Sequence, residues 1–158
     1  DEPDLFRQCV ANISRLGHDC EKYGMPLMIE PLVMLPNDQG GYLVDGDTQK
    51  IVTLVRLARE MGADIIKADP TDDPNDFHHV VEAARCPVLV RGGGKADLRR
   101  VIETSAALMA QGAHGMVYGR NIYQHDNPRA VVAALMALIH DGADADAAWN
   151  IYSQANGQ

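Results

Sequence analysis

Gly62-Ala63-Asp64-Ile65-Ile66-Lys67-Ala68-Asp69-Pro70 decides the fold. The run from Ala63 to Ala68 is short and apolar, so it reads as a buried strand, and Pro70 breaks it. A lysine closing such a strand is out of place, because burying an ammonium is costly unless it is paired or neutral. A neutral lysine amine is also a nucleophile toward carbonyls. The competing reading of Lys67 is a side chain that leaves the sheet and snorkels to solvent.

The flanking segments alternate between helix and strand. Upstream, Ile51, Leu54, Val55, Ala58 and Met61 fall on one helical face, with Asp47 or Thr48 as cap and Gly62 as stop. Pro36 to Asp47, rich in Gly, Asn and Asp, reads as a loop long enough to cover a site. Leu27-Met28-Ile29-Glu30-Pro31-Leu32 reads as another strand broken just after a charged residue. Leu5 to Tyr23 has helical spacing at Leu5, Cys9, Ile13 and Leu16, and Gly24 and Pro26 end it. Downstream, Asp73-Pro74 starts a helix striped by Phe77, Val80, Val81 and Ala84. The strand Pro87 to Arg91 runs into Gly92-Gly93-Gly94-Lys95, and a helix from Ala96 to Gln111 buries Leu98, Val101, Ile102 and Leu108. Gly115 to Gly119 is the last strand. A short segment from Asn121 to Asn127 leads into a helix from Arg129 to His140, and the tail holding Trp149 and Tyr152 has the makings of one more.

The order is one helix followed by four βα units, which predicts right-handed βαβ crossovers and a parallel sheet. An open doubly wound sheet and a (β/α)8 barrel both satisfy it. Four strands are half a barrel, and the chain opens on a helix. The expected architecture is therefore α/β, with residues 1–158 forming a single domain that is the C-terminal half of a TIM barrel.

The chain has 158 residues, a net charge of −8 and 46% hydrophobic residues, as expected of a soluble globular domain. The acidic balance and the lack of a basic stripe argue against nucleic acid as a partner. No apolar run could span a bilayer, and Asp1-Glu2-Pro3-Asp4 does not resemble a signal peptide. Cys9, Cys20 and Cys86 show no metal or disulfide spacing, which points to a reducing compartment, by default the cytoplasm.

Every strand ends in something chemically loaded: Glu30, Lys67, Arg91 before the glycines, and Gly119-Arg120. Parallel α/β proteins gather their sites at those ends. Gly92, Gly93, Gly94 and Lys95 can offer backbone N–H groups to an anion, with a helix start behind them, although neither a P-loop nor a dinucleotide fingerprint fits. Gly119-Arg120 supplies a second half, and together the two loops favour phosphate. Met28, Glu30 and Leu32 share one strand face, as do Ile65, Lys67 and Asp69. If both faces point inward, Glu30 lies near the Lys67 amine and can move protons; the competing reading is a structural ion pair. Asp69, Asp72, Asp73 and Asp76 lack metal-loop spacing, and Asp73 is explained as a cap, so no metal is expected. His78 and His79 are adjacent on a helix and diverge.

Ile65-Ile66-Lys67, Val90-Arg91-Gly92-Gly93-Gly94-Lys95 and Val117-Tyr118-Gly119-Arg120-Asn121-Ile122-Tyr123-Gln124 resemble the class I aldolases of the deoxyribose-phosphate and tagatose-bisphosphate aldolase superfamily. The similarity is strongest to archaeal-type fructose-bisphosphate aldolases and autoinducer-2 phosphate-processing enzymes, and runs from about Gly24 to Trp149. It implies a (β/α)8 barrel of which this chain holds strands five to eight. It also implies a Schiff base on Lys67 and substrate phosphate held by Gly92, Gly93, Gly94, Gly119 and Arg120; Lys95 joins the phosphate set as part of the glycine loop, and Arg91 and Asp69, at the same strand ends, are candidates for substrate contact. No metal or cofactor is implied, and a homo-oligomer is. The implied function is cleavage or formation of a C–C bond in a phosphorylated ketose such as fructose bisphosphate. The alternatives are thiolase-like acyl transfer on a phosphorylated dione with the same lysine, and phosphosugar binding without catalysis. Archaeal-type enzymes carry a tyrosine on strand five where this chain has Glu30; a glutamate there is closer to the tagatose-bisphosphate and sulfosugar-phosphate aldolases.

Overall fold

The computed structural model describes residues 2–157. Helix α1 spans Pro3–Tyr23 and closes on Gly24, whose left-handed φ of 64° lets its N–H reach back to the Cys20 and Glu21 carbonyls. Its apolar stripe is only partly used. Ile13 and Cys20 pack on the core, whereas Leu5 and Leu16 are 58% and 53% exposed.

Four strands, β1 (Met28–Ile29), β4 (Ile65–Ala68), β5 (Val88–Arg91) and β6 (Gly115–Val117), form one parallel sheet in the order β1-β4-β5-β6. Helices α2 (Thr48–Glu60), α3 (Phe77–Ala84, entered through a 3-10 turn at Pro74–Asp76) and α4 (Leu98–Ala110) join them, as the alternating pattern requires. Short α5 (Arg120–Tyr123), then α6 (Pro128–His140) and α7 (Ala145–Asn156), complete the chain. Asp47, Asp73, Asp97, Asn127 and Asp144 each cap a helix or turn by accepting a backbone N–H, which explains why Asp and Asn recur at these starts.

Two segments depart from the sequence expectation. The strand expected from Leu27 to Leu32 shrinks to Met28–Ile29, because Pro31 has no N–H for the ladder. The loop expected from Pro36 to Asp47 is partly an antiparallel hairpin, β2 (Met34–Pro36) with β3 (Tyr42–Val44), turned by Gly40 and Gly41 at positive φ.

The sheet has unequal faces. Ile29, Ile66, Ala68, Val88 and Val90 are buried against α2 and α3, with Val55, Phe77, Val80 and Leu108 in the same core. A second cluster, Ile102, Val131, Ala134, Leu135, Leu138 and Ala148, packs α4 against α6 and α7. Ile65, Lys67, Leu89, Arg91 and Val117 lie on the opposite face and are half-buried. That face is the one a closed barrel turns inward, and the four βα units form a partial (β/α)8 barrel.

Candidate active site

Register brings the charged strand ends together. Met28 pairs with Ile65 and Ile29 with Ile66, so Glu30, the next residue along, comes level with Lys67. The period-two alternation that put Met28 and Glu30 on one face and Ile65 and Lys67 on another thus turns both toward the inner side. The Lys67 Nζ donates to Glu30 Oε2 at 2.9 Å. One strand further, Arg91 reaches back across the sheet, its Nε 3.1 Å from Glu30 Oε1 and its Nη1 donating to Asp69 Oδ1 at 2.5 Å. The result is an alternating row of charges, Lys67, Glu30, Arg91 and Asp69. Its Lys67 and Arg91 side chains are each 20% exposed. Pairing of this kind lets the strand carry a lysine without the full penalty of an isolated buried charge.

Asp69 is the most enclosed member, 2% exposed, and its Oδ2 is buried with no hydrogen-bond partner. Burial pushes its carboxyl above the ordinary range, against the opposing pull of Arg91.

The two loops expected to hold phosphate are stitched to each other. Asn121 Nδ2 donates to the Gly92 carbonyl at 2.7 Å, and its Oδ1 accepts the Ala96 N–H at 2.9 Å. Arg120 Nη2 donates to the Gly93 carbonyl, and Lys95 Nζ to the Gln124 carbonyl. With Ala96 used by Asn121 and the α4 start capped by Asp97, the Gly93, Gly94 and Lys95 N–H groups donate no hydrogen bond among the described residues. Such a run of free amides is the arrangement that binds oxyanions. Lys95 and Arg120 are exposed beside it. Lys95 belongs to this loop pair and not to the Lys67 row.

Sequence alone assigns Asn121 no separate role. Its signal was its place inside the Gly-Arg-Asn-Ile run. A polar residue only 7% exposed in such a run is there to satisfy backbone groups. Tyr118 was likewise unassigned. Its hydroxyl lies 2.8 Å from buried Ser105, and burial pushes the phenol pKa up.

A cavity of about 280 Å³ is bounded by Asp69, Arg91, the Gly92–Gly94 loop, Tyr118 and Asn121. A larger one, about 830 Å³, lies at the opposite ends of β1 and β4 among Gly17, Cys20, Leu27, Met61, Gly62 and Ile65, and holds none of the charged row. The aspartates of the β4–α3 loop do not converge. Asp73 caps the turn, Asp76 accepts from Thr48, and among the described residues no three His, Cys, Asp or Glu side chains are placed to hold a metal ion. No helix in the described residues is long and apolar enough to cross a membrane.

Residues 1–125 match the family model described as DeoC/LacD family aldolase. An uncharacterised aldolase of Saccharolobus solfataricus is 35% identical over 133 residues, which is 84% of this chain and 48% of that protein. The 2-amino-3,7-dideoxy-D-threo-hept-6-ulosonate synthase of Halobacterium salinarum is 32% identical, over 93% of this chain and 52% of its own length. A 3-hydroxy-5-phosphonooxypentane-2,4-dione thiolase of Shigella flexneri is 33% identical, over 92% and 53%. Among solved structures, a Schiff-base-forming fructose-1,6-bisphosphate aldolase, studied through its reaction intermediates, superposes with a TM-score of 0.74 at 29% identity, covering 84% of this chain and 52% of its own. The chain spans about half the length of the curated relatives it matches.

Proposed function

Since the chain belongs to the DeoC/LacD family of aldolases, we propose that it supplies the Schiff-base half of a metal-independent aldolase for a phosphorylated ketose, with Lys67 as nucleophile. In this reading residues 1–158 are the C-terminal portion of one barrel domain, its strands equivalent to the fifth to eighth. The observation that carries the reading is the 2.9 Å contact of Lys67 with Glu30, at the same C-terminal strand ends as a loop with free amides. The Lys67 amine, after giving a proton to Glu30, attacks the ketone carbon. Loss of water, with Glu30 returning the proton to the departing oxygen, leaves an iminium. With Glu30 taking the hydroxyl proton of the departing carbon, that iminium accepts the electron pair of the adjacent C–C bond as it breaks, releasing an aldehyde and leaving an enamine. Protonation at carbon and hydrolysis free the second product and restore the amine. Free N–H groups of Gly93, Gly94 and Lys95, together with the Arg120 guanidinium, hold the phosphate and so fix the carbonyl against Lys67. Gly92 and Gly119 place these groups through their loop turns.

A fructose-bisphosphate-like ketose is the proposed substrate, a reading supported by the likeness to the Schiff-base-forming fructose-1,6-bisphosphate aldolase and by a loop with free amides at the same strand ends as the lysine. The dione thiolase among the relatives favours a second reading, acyl transfer from a phosphorylated dione through the same lysine. The experiment that tests the first reading is borohydride reduction of the intact protein with dihydroxyacetone phosphate, followed by peptide mass spectrometry. A reduced adduct on Lys67 is the expected result. An adduct formed only with a phosphorylated dione would transfer the assignment to the thiolase chemistry, and phosphosugar binding with no adduct would leave a binding protein.

A further inference from the structure

Asp69 is held at a cost that its packing does not explain. It is 2% exposed, it has one charged partner, and its Oδ2 is buried with none. Leaving a buried oxygen unpaired gives up its hydration with no hydrogen bond in exchange. A buried group retained under such conditions calls for a role outside stability.

Its geometry suggests the role. Lys67 and Asp69 are two residues apart at the end of β4, and Arg91 closes the neighbouring strand. Arg91 is held at two points, Nη1 on Asp69 and Nε on Glu30, which fixes both the position and the plane of the guanidinium. Glu30 sits beyond the end of its two-residue strand, and among the described residues its polar side-chain partners are Lys67 and Arg91. Arg91 occupies Oε1 and thereby leaves Oε2 for Lys67. Arg91 Nη2 takes part in no hydrogen bond or ion pair among the described residues. A long side chain such as arginine forfeits rotamer freedom to hold this pose, and the Asp69 contact offsets that loss.

We propose that Asp69 is a positioning residue that acts through Arg91, holding the guanidinium so that Glu30 presents one defined oxygen to the Lys67 amine. The catalytic consequence rests on the Schiff-base reading of Lys67; the geometric one does not. A merely structural ion pair would affect folding alone. A positioning residue loses its effect once the residue it acts through is gone.

The test uses the intact protein and its D69N, D69A, R91K, R91A and D69A/R91A variants, with circular dichroism to confirm folding. Nitrogen-15 spectra follow the Arg91 Nε–H, assigned by its disappearance in R91K. A resolved, slowly exchanging resonance is expected in the unmodified protein and in D69N, and a motionally averaged one in D69A. Borohydride trapping on Lys67 should slow about tenfold in D69A and stay within about threefold in D69N, the size of a lost orienting contact. D69A should cause no further loss in the R91A background. An ordered Arg91 in D69A, or losses that multiply in the double variant, would overturn the proposal. If the unmodified protein gives no Lys67 adduct, the Schiff-base reading fails, and the Arg91 resonance still decides the geometry.

Discussion

Three consecutive glycines follow β5, and the structure assigns each a different tolerance for alanine. At Gly92 an added Cβ would stand 2.7 Å from Tyr118 Cδ1 and 3.0 Å from Tyr118 Cα. Carbon atoms at rest sit about 3.5–4.0 Å apart, so roughly 1 Å must be found. Tyr118 cannot readily supply it. Its hydroxyl is tied to Ser105, which is fully buried in α4, and the second clash is with the backbone leaving β6. The β5 and β6 ends must therefore part, against the Asn121 bonds that clamp them. Overpacking of this kind costs about 1–3 kcal/mol. At Gly93 there is open space, but a φ of 59° puts alanine in the left-handed region, at about 1 kcal/mol. At Gly94 there is neither a neighbour within 4 Å nor a strained φ, and G94A should fall within about 0.5 kcal/mol of the parent. Urea denaturation of the three variants at a common m-value orders them G92A, G93A, G94A from least to most stable. A G92A protein as stable as G94A would refute the claim that the loop is packed on Tyr118.

Four further outcomes follow from the same contacts. N121A leaves the Gly92 carbonyl and the Ala96 N–H without their partner and should cost about 1–3 kcal/mol in denaturation, with faster amide exchange confined to Gly92–Ala96. R120A removes one of the two exposed cations beside the free amides and should weaken inorganic phosphate binding by about tenfold in calorimetry, while N121A weakens it through the loop. The Asp69 carboxyl, raised by burial, makes the folded state bind a proton more tightly than the unfolded chain. Its contribution to stability is therefore fully present below the ordinary value of 3.8 and is lost as pH rises through the raised folded value. D69N should lack this loss and be the more stable protein at neutral pH, which thermal melts across the range can read. An equal pH dependence in both proteins would count against the buried, uncompensated carboxylate.

Much of the arrangement was legible from residue order. The strand ending at Lys67 declared itself by an apolar run stopped at Pro70, and the helix starts by Asp47 and the Asp73-Pro74 pair. The approach of Glu30 to Lys67 was legible as far as face alternation goes, since a parallel register one residue off would have turned Glu30 away. Other features depend on tertiary pairing and had no local signal. The β2–β3 hairpin hid in a stretch dominated by Asn, Asp and Gly, where three-residue strands leave too little alternation to see. Arg91 was visible as a strand-end cation, but its grip on Asp69 depends on which strands are neighbours. Asn121 drew attention only as part of a motif, because its two bonds span residues far apart in the chain. The α1 stripe at Leu5 and Leu16 promised burial that the described residues do not provide.

Lys67 lies in a row of paired charges with Glu30, Arg91 and Asp69, and the proposed aldolase reading makes its amine the nucleophile. Borohydride trapping of the intact protein with dihydroxyacetone phosphate, read by peptide mass spectrometry beside a K67R control, tests it most directly. A reduced three-carbon adduct is expected on the peptide containing Lys67, and none in K67R. An adduct on another lysine, or none on a folded protein that binds the phosphate, would contradict it.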